Sequence, residues 1–99
     1  MVATVIVTMK VMPISPEEDL NPIREATTSL ITEFGGTVGM MRDGSIAIKV
    51  EPVAFGLQAL VFMFSMNEAL GGTEELEAKI TTIPGVNSVQ VTDVRRAVG

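Results

Sequence analysis

The feature of this sequence that most limits its fold is the order in which strand-like and helix-like apolar patterns follow one another. Residues 2–12 alternate between apolar and polar positions, which predicts a half-buried β-strand that Pro13 ends. A helix is predicted next, because apolar residues then recur every three or four positions until Gly35-Gly36. Its start is predicted at Ser15 as N-cap with Pro16 in the first turn, and Asn21-Pro22 offers a second start.

The middle of the chain has a strand character. Residues 37–41 and 45–50 are short strand-like runs on either side of Arg42-Asp43-Gly44, a turn sequence that favours a tight hairpin or a sharp bend. Residues 53–66 are apolar at nearly every position and include β-branched and aromatic residues, which is typical of a central strand.

The last third of the chain repeats the helix-then-strand order. Thr73 is predicted to cap a second helix that buries Leu76, Ile80 and Ile83 and ends at Pro84-Gly85. Residues 86–94 alternate again and predict the last strand.

The complete order is therefore β-α-β-β-α-β. Right-handed crossovers fold this order into an antiparallel four-stranded sheet with both helices on one face, the ferredoxin-like α+β sandwich. A chain of 99 residues has room for one such domain, which we expect to span residues 1–99. The architecture serves many unrelated functions, so it does not choose between them.

Composition removes several classes of function. The chain has no cysteine and no histidine, so disulfides, thiolate nucleophiles, imidazole bases and the usual zinc ligands are absent, and no cofactor or metal site is predicted. A net charge of −5 argues against direct binding of nucleic acid, which depends on lysine and arginine. The longest uncharged apolar stretch, residues 53–67, is too short and too polar to span a bilayer, so we expect a cytoplasmic protein.

Several stretches carry a resemblance to a known family. They are Lys10-Val11-Met12-Pro13, the run from Glu51 to Leu57, Gly71-Gly72-Thr73-Glu74, Ile83-Pro84-Gly85-Val86 and the run from Val91 to Arg96. In this order they are similar to the archaeal elongation factor 1-beta family over nearly the whole chain. The stretch from Gly35 to Lys49 departs from the family by being longer.

The resemblance implies a guanine nucleotide exchange factor that binds elongation factor 1-alpha, disturbs its magnesium and phosphate site and lets GTP replace GDP. It implies no covalent chemistry on this chain. Phe55 and Gly56 match a partner-facing loop of the family, and Asp93, Arg95 and Arg96 match its carboxyl-terminal contact region. Eukaryotic relatives have a lysine there that reaches the magnesium site, and this chain has no counterpart to it.

Simpler interpretations of the same residues stay open at this point. Without the family, Phe55 is an ordinary core residue and Gly56 a bulge in the third strand, while Arg95 and Arg96 form a solvated tail. The acidic runs 17–19 and 74–77 are typical of first helical turns, where carboxylates favour the helix dipole.

Three other functions fit the same fold. A ligand-sensing or oligomerisation module would bind a metabolite between subunits, whereas the resemblance implies a monomer or a weak homo-oligomer. An acylphosphatase-like hydrolase would need an anion-binding loop with a nearby arginine and asparagine, and Asn21, Asn67 and Asn87 have no such loop beside them. An RNA-binding domain would stack bases on aromatic residues of its central strands, for which Phe62 and Phe64 are the candidates.

Overall fold

The computed structural model describes residues 4–38 and 48–96, which form five strands, two α-helices and one single turn of 3₁₀-helix. In chain order the elements are β1 (Thr4–Pro13), α1 (Leu20–Phe34), β2 (Thr37–Val38), β3 (Ile48–Pro52), a tight turn (Ala54–Gly56), β4 (Gln58–Asn67), a 3₁₀ turn (Glu68–Leu70), α2 (Glu74–Ile80) and β5 (Val86–Arg96). No helix among these residues is both long and apolar enough to cross a membrane.

The strands form one antiparallel sheet. β1 lies between β4 and β5, and the other edge of β4 pairs with both β2 and β3. Since β2 and β3 share that edge, the spatial order is that of a four-stranded ferredoxin-like sheet. The predicted fold class is therefore confirmed.

Both helices pack on the same face of the sheet. α1 contributes Ile23 and Ile31, and α2 contributes Leu76 and Ile80, to a single buried apolar cluster. The sheet supplies alternate residues of its two central strands to this cluster: Val7, Met9, Val11, Leu60, Phe62, Phe64 and Met66. Strand alternation thus leaves the intervening residues on the face that carries no helix, which we call the open face.

Phe62 and Phe64 face the helices and are 0% and 1% exposed. Aromatic rings buried in this way have no free surface on which a base can stack. The suggestion that these two residues provide an RNA-stacking platform is therefore wrong.

The edge strand beside β4 comes in two pieces. Val38 pairs with Phe64 and Ile48 pairs with Phe62, so a regular strand would need one residue between them, where this chain has residues 39–47. The stretch that we expect to be longer than in the family therefore joins the two described pieces of this edge strand. The predicted turn at Arg42-Asp43-Gly44 lies outside the described residues, but the described flanks both pair with β4 and run in one direction along it.

The predicted start of the first helix at Ser15 and Pro16 is wrong, and the helix begins close to the alternative start. The backbone N–H of Glu18 donates to the carbonyl of Ser15 at 3.2 Å, which makes a β-turn with proline at its second position. Asp19 is the N-cap, and its carboxylate accepts from the N–H of Asn21 at 3.0 Å. At the other end Gly35 adopts φ 107° and ends the helix as predicted.

Three further features differ from the sequence predictions. α2 ends at Ile80 and not at Pro84-Gly85, so Ile83 lies beyond the helix. Thr73 occupies the N-cap position of α2, but its hydroxyl donates to the carboxylate of Glu77 at 3.0 Å and does not cap a backbone N–H. β5 continues beyond the predicted end at residue 94 and includes both Arg95 and Arg96, because these residues pair with Ile6 and Val5 of β1.

Candidate functional site

The connection between β3 and β4 is a tight hairpin turn, which we call the Phe55 turn (Ala54–Leu57). The N–H of Leu57 donates to the carbonyl of Ala54 at 3.3 Å, and the N–H of Val53 donates to the carbonyl of Leu57 at 2.8 Å. Phe55 has φ 63° and ψ 28° and Gly56 has φ 75°, so both central residues are left-handed. This is the type I′ geometry that matches the natural twist of a two-stranded hairpin.

Phe55 is unusual in this turn for two reasons. Asparagine, aspartate and glycine are the residue types that favour a positive φ, whereas the left-handed conformation costs other residues about 1–2 kcal/mol. The phenyl ring is also 93% exposed and buries almost no apolar surface within the chain. Neither stability nor turn chemistry accounts for an aromatic residue here, and strained residues of this kind cluster at functional sites.

The core interpretation of Phe55 is therefore wrong, as is that of Gly56 as a bulge inside a strand. β4 begins only at Gln58, so the predicted strand 53–66 contained the whole turn. The apolar character of residues 53–57 concealed the turn, because an exposed phenylalanine and a buried one look alike in a sequence.

The other candidate residues lie at the end of β5, where a bulge sets their direction. Thr8 pairs with Asp93 while Met9 pairs with Val91, so Thr92 is the extra residue. The bulge reverses the alternation of the strand, and Asp93 and Arg95 reach the open face. There they line a shallow groove together with Ile6, Thr8 and Met63.

Asp93, Arg95 and Arg96 are each held by an ion pair. The guanidinium of Arg95 donates to the carboxylate of Asp93 at 2.8 Å, and that of Arg96 donates to Glu68. The arginine side chains remain 79% and 67% exposed, so each pair contributes at most about 1 kcal/mol to stability. Arg95 and Arg96 thus belong to a paired strand and not to a tail, and their side chains remain solvated. We call Glu68, Asp93, Arg95 and Arg96 the carboxyl-terminal cluster.

The structure does not bring all the candidate residues together. The Phe55 turn adjoins Gln58 at the start of β4, whereas Arg95 lies beside Ile6, which pairs with Ser65 near the end of that strand. At about 3.3 Å per residue, the two groups are separated by roughly 23 Å along the sheet. Phe55 and Gly56 thus form one candidate site, and the carboxyl-terminal cluster forms another at the opposite end.

Sequence reasoning missed two neighbours of these sites. Glu68 lies 28 positions from Arg96, and no local pattern connects them. Pro16 lies 4.0 Å from where a Cβ on Gly56 would lie, so the loop after β1 reaches the Phe55 turn. Both contacts depend on the topology of the sheet and carry no signal in the sequence.

Among residues 4–38 and 48–96, no three carboxylates come close enough together to form a metal site. The groove between α1 and β3, lined by Arg24, Glu25, Thr28, Ser29 and Ile48, is open to solvent. The features with unexplained chemistry in the described residues are therefore the exposed Phe55 turn and the carboxyl-terminal cluster.

Comparison with known proteins shows the family of this chain. The model of the EF-1 guanine nucleotide exchange domain matches residues 6–97. Elongation factor 1-beta of Methanothermobacter thermautotrophicus is 40% identical over 94 residues, covering 93% of this chain and 94% of that protein. The proteins of the same name from Methanococcoides burtonii and Methanobrevibacter smithii are each 36% identical, covering 92% and 93% of this chain and 93% and 94% of their own lengths. Because the match extends over nearly the whole chain and includes both candidate sites, the chain belongs to the elongation factor 1-beta family of EF-1 guanine nucleotide exchange domains.

Proposed function

We propose that this protein is a guanine nucleotide exchange factor that binds elongation factor 1-alpha and accelerates the release of GDP from it. The observation that carries the proposal is Phe55, a strained and 93% exposed aromatic residue at a position where neither the turn nor the core requires one. Membership of the family supports the identity of the partner.

Exchange of this kind requires no covalent step. The protein binds the nucleotide-free partner more tightly than the GDP-bound partner, and by linkage it lowers the affinity of the partner for GDP by the same factor. A surface that bound both forms equally would leave nucleotide release unchanged, however tight the complex. The two candidate sites therefore have different tasks, one to hold the partner and the other to distinguish its states.

Phe55 is suited to holding the partner. A large aromatic ring that is fully exposed in the free protein gains most of its burial in the complex, and such residues dominate the energy of protein interfaces. Gly56 beside it carries no side chain, so the backbone of the partner can approach the turn closely.

The carboxyl-terminal cluster is suited to distinguishing the two states. Guanidinium groups bind carboxylates and phosphates through two parallel hydrogen bonds, and both groups surround a magnesium-bound nucleotide. Arg95 and Arg96 are already paired with Asp93 and Glu68. In the complex, an anionic group of the partner replaces that carboxylate, so each guanidinium keeps a negatively charged neighbour. We propose that this replacement weakens the hold of the partner on GDP and its magnesium ion.

The experiment is release of a fluorescent GDP analogue from the cognate elongation factor 1-alpha, measured with the parent protein and with variants. The variants are Phe55→Ala and the double variant Arg95→Ala/Arg96→Ala. We expect the parent to accelerate release, and each variant to lose on the order of tenfold or more of the acceleration, as expected for residues at the centre of an interface.

Val50→Ala provides the matched control. Val50 is 53% exposed on β3 and belongs to neither candidate site, so its loss should leave exchange unchanged. Failure of the parent protein to accelerate release would refute the proposed function. If Val50→Ala and Phe55→Ala lost the same fraction of the acceleration of GDP release, the Phe55 turn would have no specific role in exchange.

A further inference from the structure

The end of the sheet that carries the Phe55 turn also carries two other connections, and the three lie close together. We call this surface the loop end; it consists of residues 14–19, 53–57 and 81–85. The N–H of Ile14 donates to the carbonyl of Gly85 at 2.9 Å, which joins the first connection to the third. Pro16 reaches Gly56 of the second connection.

Ile14 is the second exposed apolar side chain at the loop end. It is 62% exposed, and with Phe55 it is one of the two most exposed large apolar residues in the described part of the chain. The fold does not require this exposure, since β1 ends at Pro13, which pairs with Val86, and Ile14 lies beyond the strand. A polar residue would satisfy the same backbone bond to Gly85 and would be better solvated.

The backbone around Ile14 is held firmly. Pro13 is buried and paired at the end of β1, the N–H of Ile14 is bonded, and the β-turn from Ser15 to Glu18 follows directly. Because both Ile14 and Phe55 project from fixed backbone, little conformational entropy is lost when a partner covers them. The two side chains are therefore preorganised for binding.

The charged residues of the loop end indicate the chemistry of the partner surface. The three connections of the loop end, all of which the structure describes, contain Glu17, Glu18 and Asp19 and no lysine or arginine. Glu17 is exposed, and the carboxylate of Glu18 lies over Gly85, where it would clash with a Cβ at 2.7 Å. The apolar pair is thus bordered on one side by negative charge, which complements a partner surface bordered by basic residues.

We propose that Ile14 and Phe55 form a two-point apolar contact that enters an apolar depression with a basic border on elongation factor 1-alpha. This inference rests on the proposed function and adds the loop after β1, with Ile14 as anchor and Glu17 and Glu18 as its charged border. Phe55 supplies the larger buried area, while Ile14 fixes the orientation of the loop end against the partner.

The test is an equilibrium titration of the nucleotide-free cognate elongation factor 1-alpha with the parent, Ile14→Ala, Ile14→Leu, Phe55→Ala and Val50→Ala. We expect Ile14→Ala to weaken binding on the order of tenfold, Ile14→Leu to bind nearly as the parent does, and Val50→Ala to bind as the parent does. Thermal unfolding of each variant verifies the fold, which the Ala variant should keep because the bond to Gly85 uses backbone atoms.

The charged border is tested with Glu17→Gln/Glu18→Gln. We expect slower association and a weaker dependence of the association rate on salt, since rim charges act mainly on the encounter of two proteins. An unchanged salt dependence would overturn the assignment of the basic border.

The outcomes separate this inference from the proposed function. If Ile14→Ala binds within twofold of the parent while Phe55→Ala is weakened, the two-point contact is wrong and the exchange function stands. Equal weakening by Ile14→Ala and Val50→Ala would also overturn the contact. A parent protein that neither binds the partner nor accelerates GDP release would remove the proposed function itself.

Discussion

Arg96, the last described residue of β5, donates a hydrogen bond from its guanidinium to the carboxylate of Glu68, which begins the 3₁₀ turn after β4. The pair connects the carboxyl-terminal strand to the turn that leads into α2. It also fixes the direction of a cation that the sequence alone gives no reason to regard as ordered. Because the pair is exposed, it contributes little to stability, and its main effect is to position the Arg96 side chain.

Replacement of Arg96 should separate its contribution to stability from its contribution to nucleotide exchange. Arg96→Ala removes an exposed ion pair, and we expect the free energy of unfolding to fall by less than about 1 kcal/mol. The acceleration of GDP release should fall strongly if Arg96 makes the proposed contact with the partner. Glu68→Gln is the control, since it removes the ion pair and leaves the cation in place. Equal loss of exchange in both variants would mean that Arg96 acts only through Glu68.

Relief of the backbone strain at Phe55 should stabilise the protein and impair its function. Asparagine tolerates φ 63° better than phenylalanine, so Phe55→Asn should raise the free energy of unfolding by about 1 kcal/mol. The same change removes the exposed ring and should reduce exchange as strongly as Phe55→Ala does. Urea denaturation tests the predicted gain in stability, and GDP release measured on the same preparation tests the predicted loss of exchange. A less stable Asn variant would contradict the argument from strain.

Thr27 offers a stabilising change away from both candidate sites. Its side chain in α1 is 0% exposed, and its hydroxyl finds no hydrogen-bond partner in the described residues. Thr27→Val removes the unsatisfied hydroxyl while nearly preserving the shape, and should raise stability by about 1 kcal/mol, or roughly 4–8 °C in Tm for a domain of this size. Thr27→Ala is the comparison, because it also leaves a cavity. Exchange should be unchanged in Thr27→Val.

Shortening of the segment 39–47 should preserve the sheet. Val38 and Ile48 pair with Phe64 and Phe62, so one glycine in place of residues 39–47 completes a regular edge strand. A shorter connection loses less entropy on closure, and we expect stability to stay level or rise by up to about 2 kcal/mol. Urea denaturation measures the change, with a Gly/Ser segment of the original length as control. Loss of folding in the glycine variant alone would show that the sheet requires the longer segment.

The sequence was sufficient to predict the fold because its signals are periodic and local. The alternation before Pro13 and the three-to-four spacing up to Phe34 each specify one element and its buried face, and the structure buries Val7, Met9 and Ile31 accordingly. The first helix boundary was predicted incorrectly because Ser15 and Pro16 suit a β-turn as well as a helix start. Only the tertiary structure decides between these two uses of the same residues.

The candidate sites were less predictable for physical reasons. The mostly apolar residues 53–57 suit a buried strand as well as an exposed turn, because their exposure depends on which other elements pack against them. The bulge at Thr92 likewise reverses which side chains of β5 face the helices, and it is fixed by pairing with Thr8 and Met9. The resemblance to the family named the candidate residues, but their placement at opposite ends of the sheet required the structure.

This placement has a consequence for how tightly the protein binds. The sheet joins Phe55 to Arg95, so under the proposed function, binding of either end would confine the other near its own target. Its binding then becomes an intramolecular step, governed by an effective concentration and not by the bulk one. Two contacts that are individually weak would thereby give a complex tighter than either contact alone, and removal of one contact by substitution would leave only the weak affinity of the other.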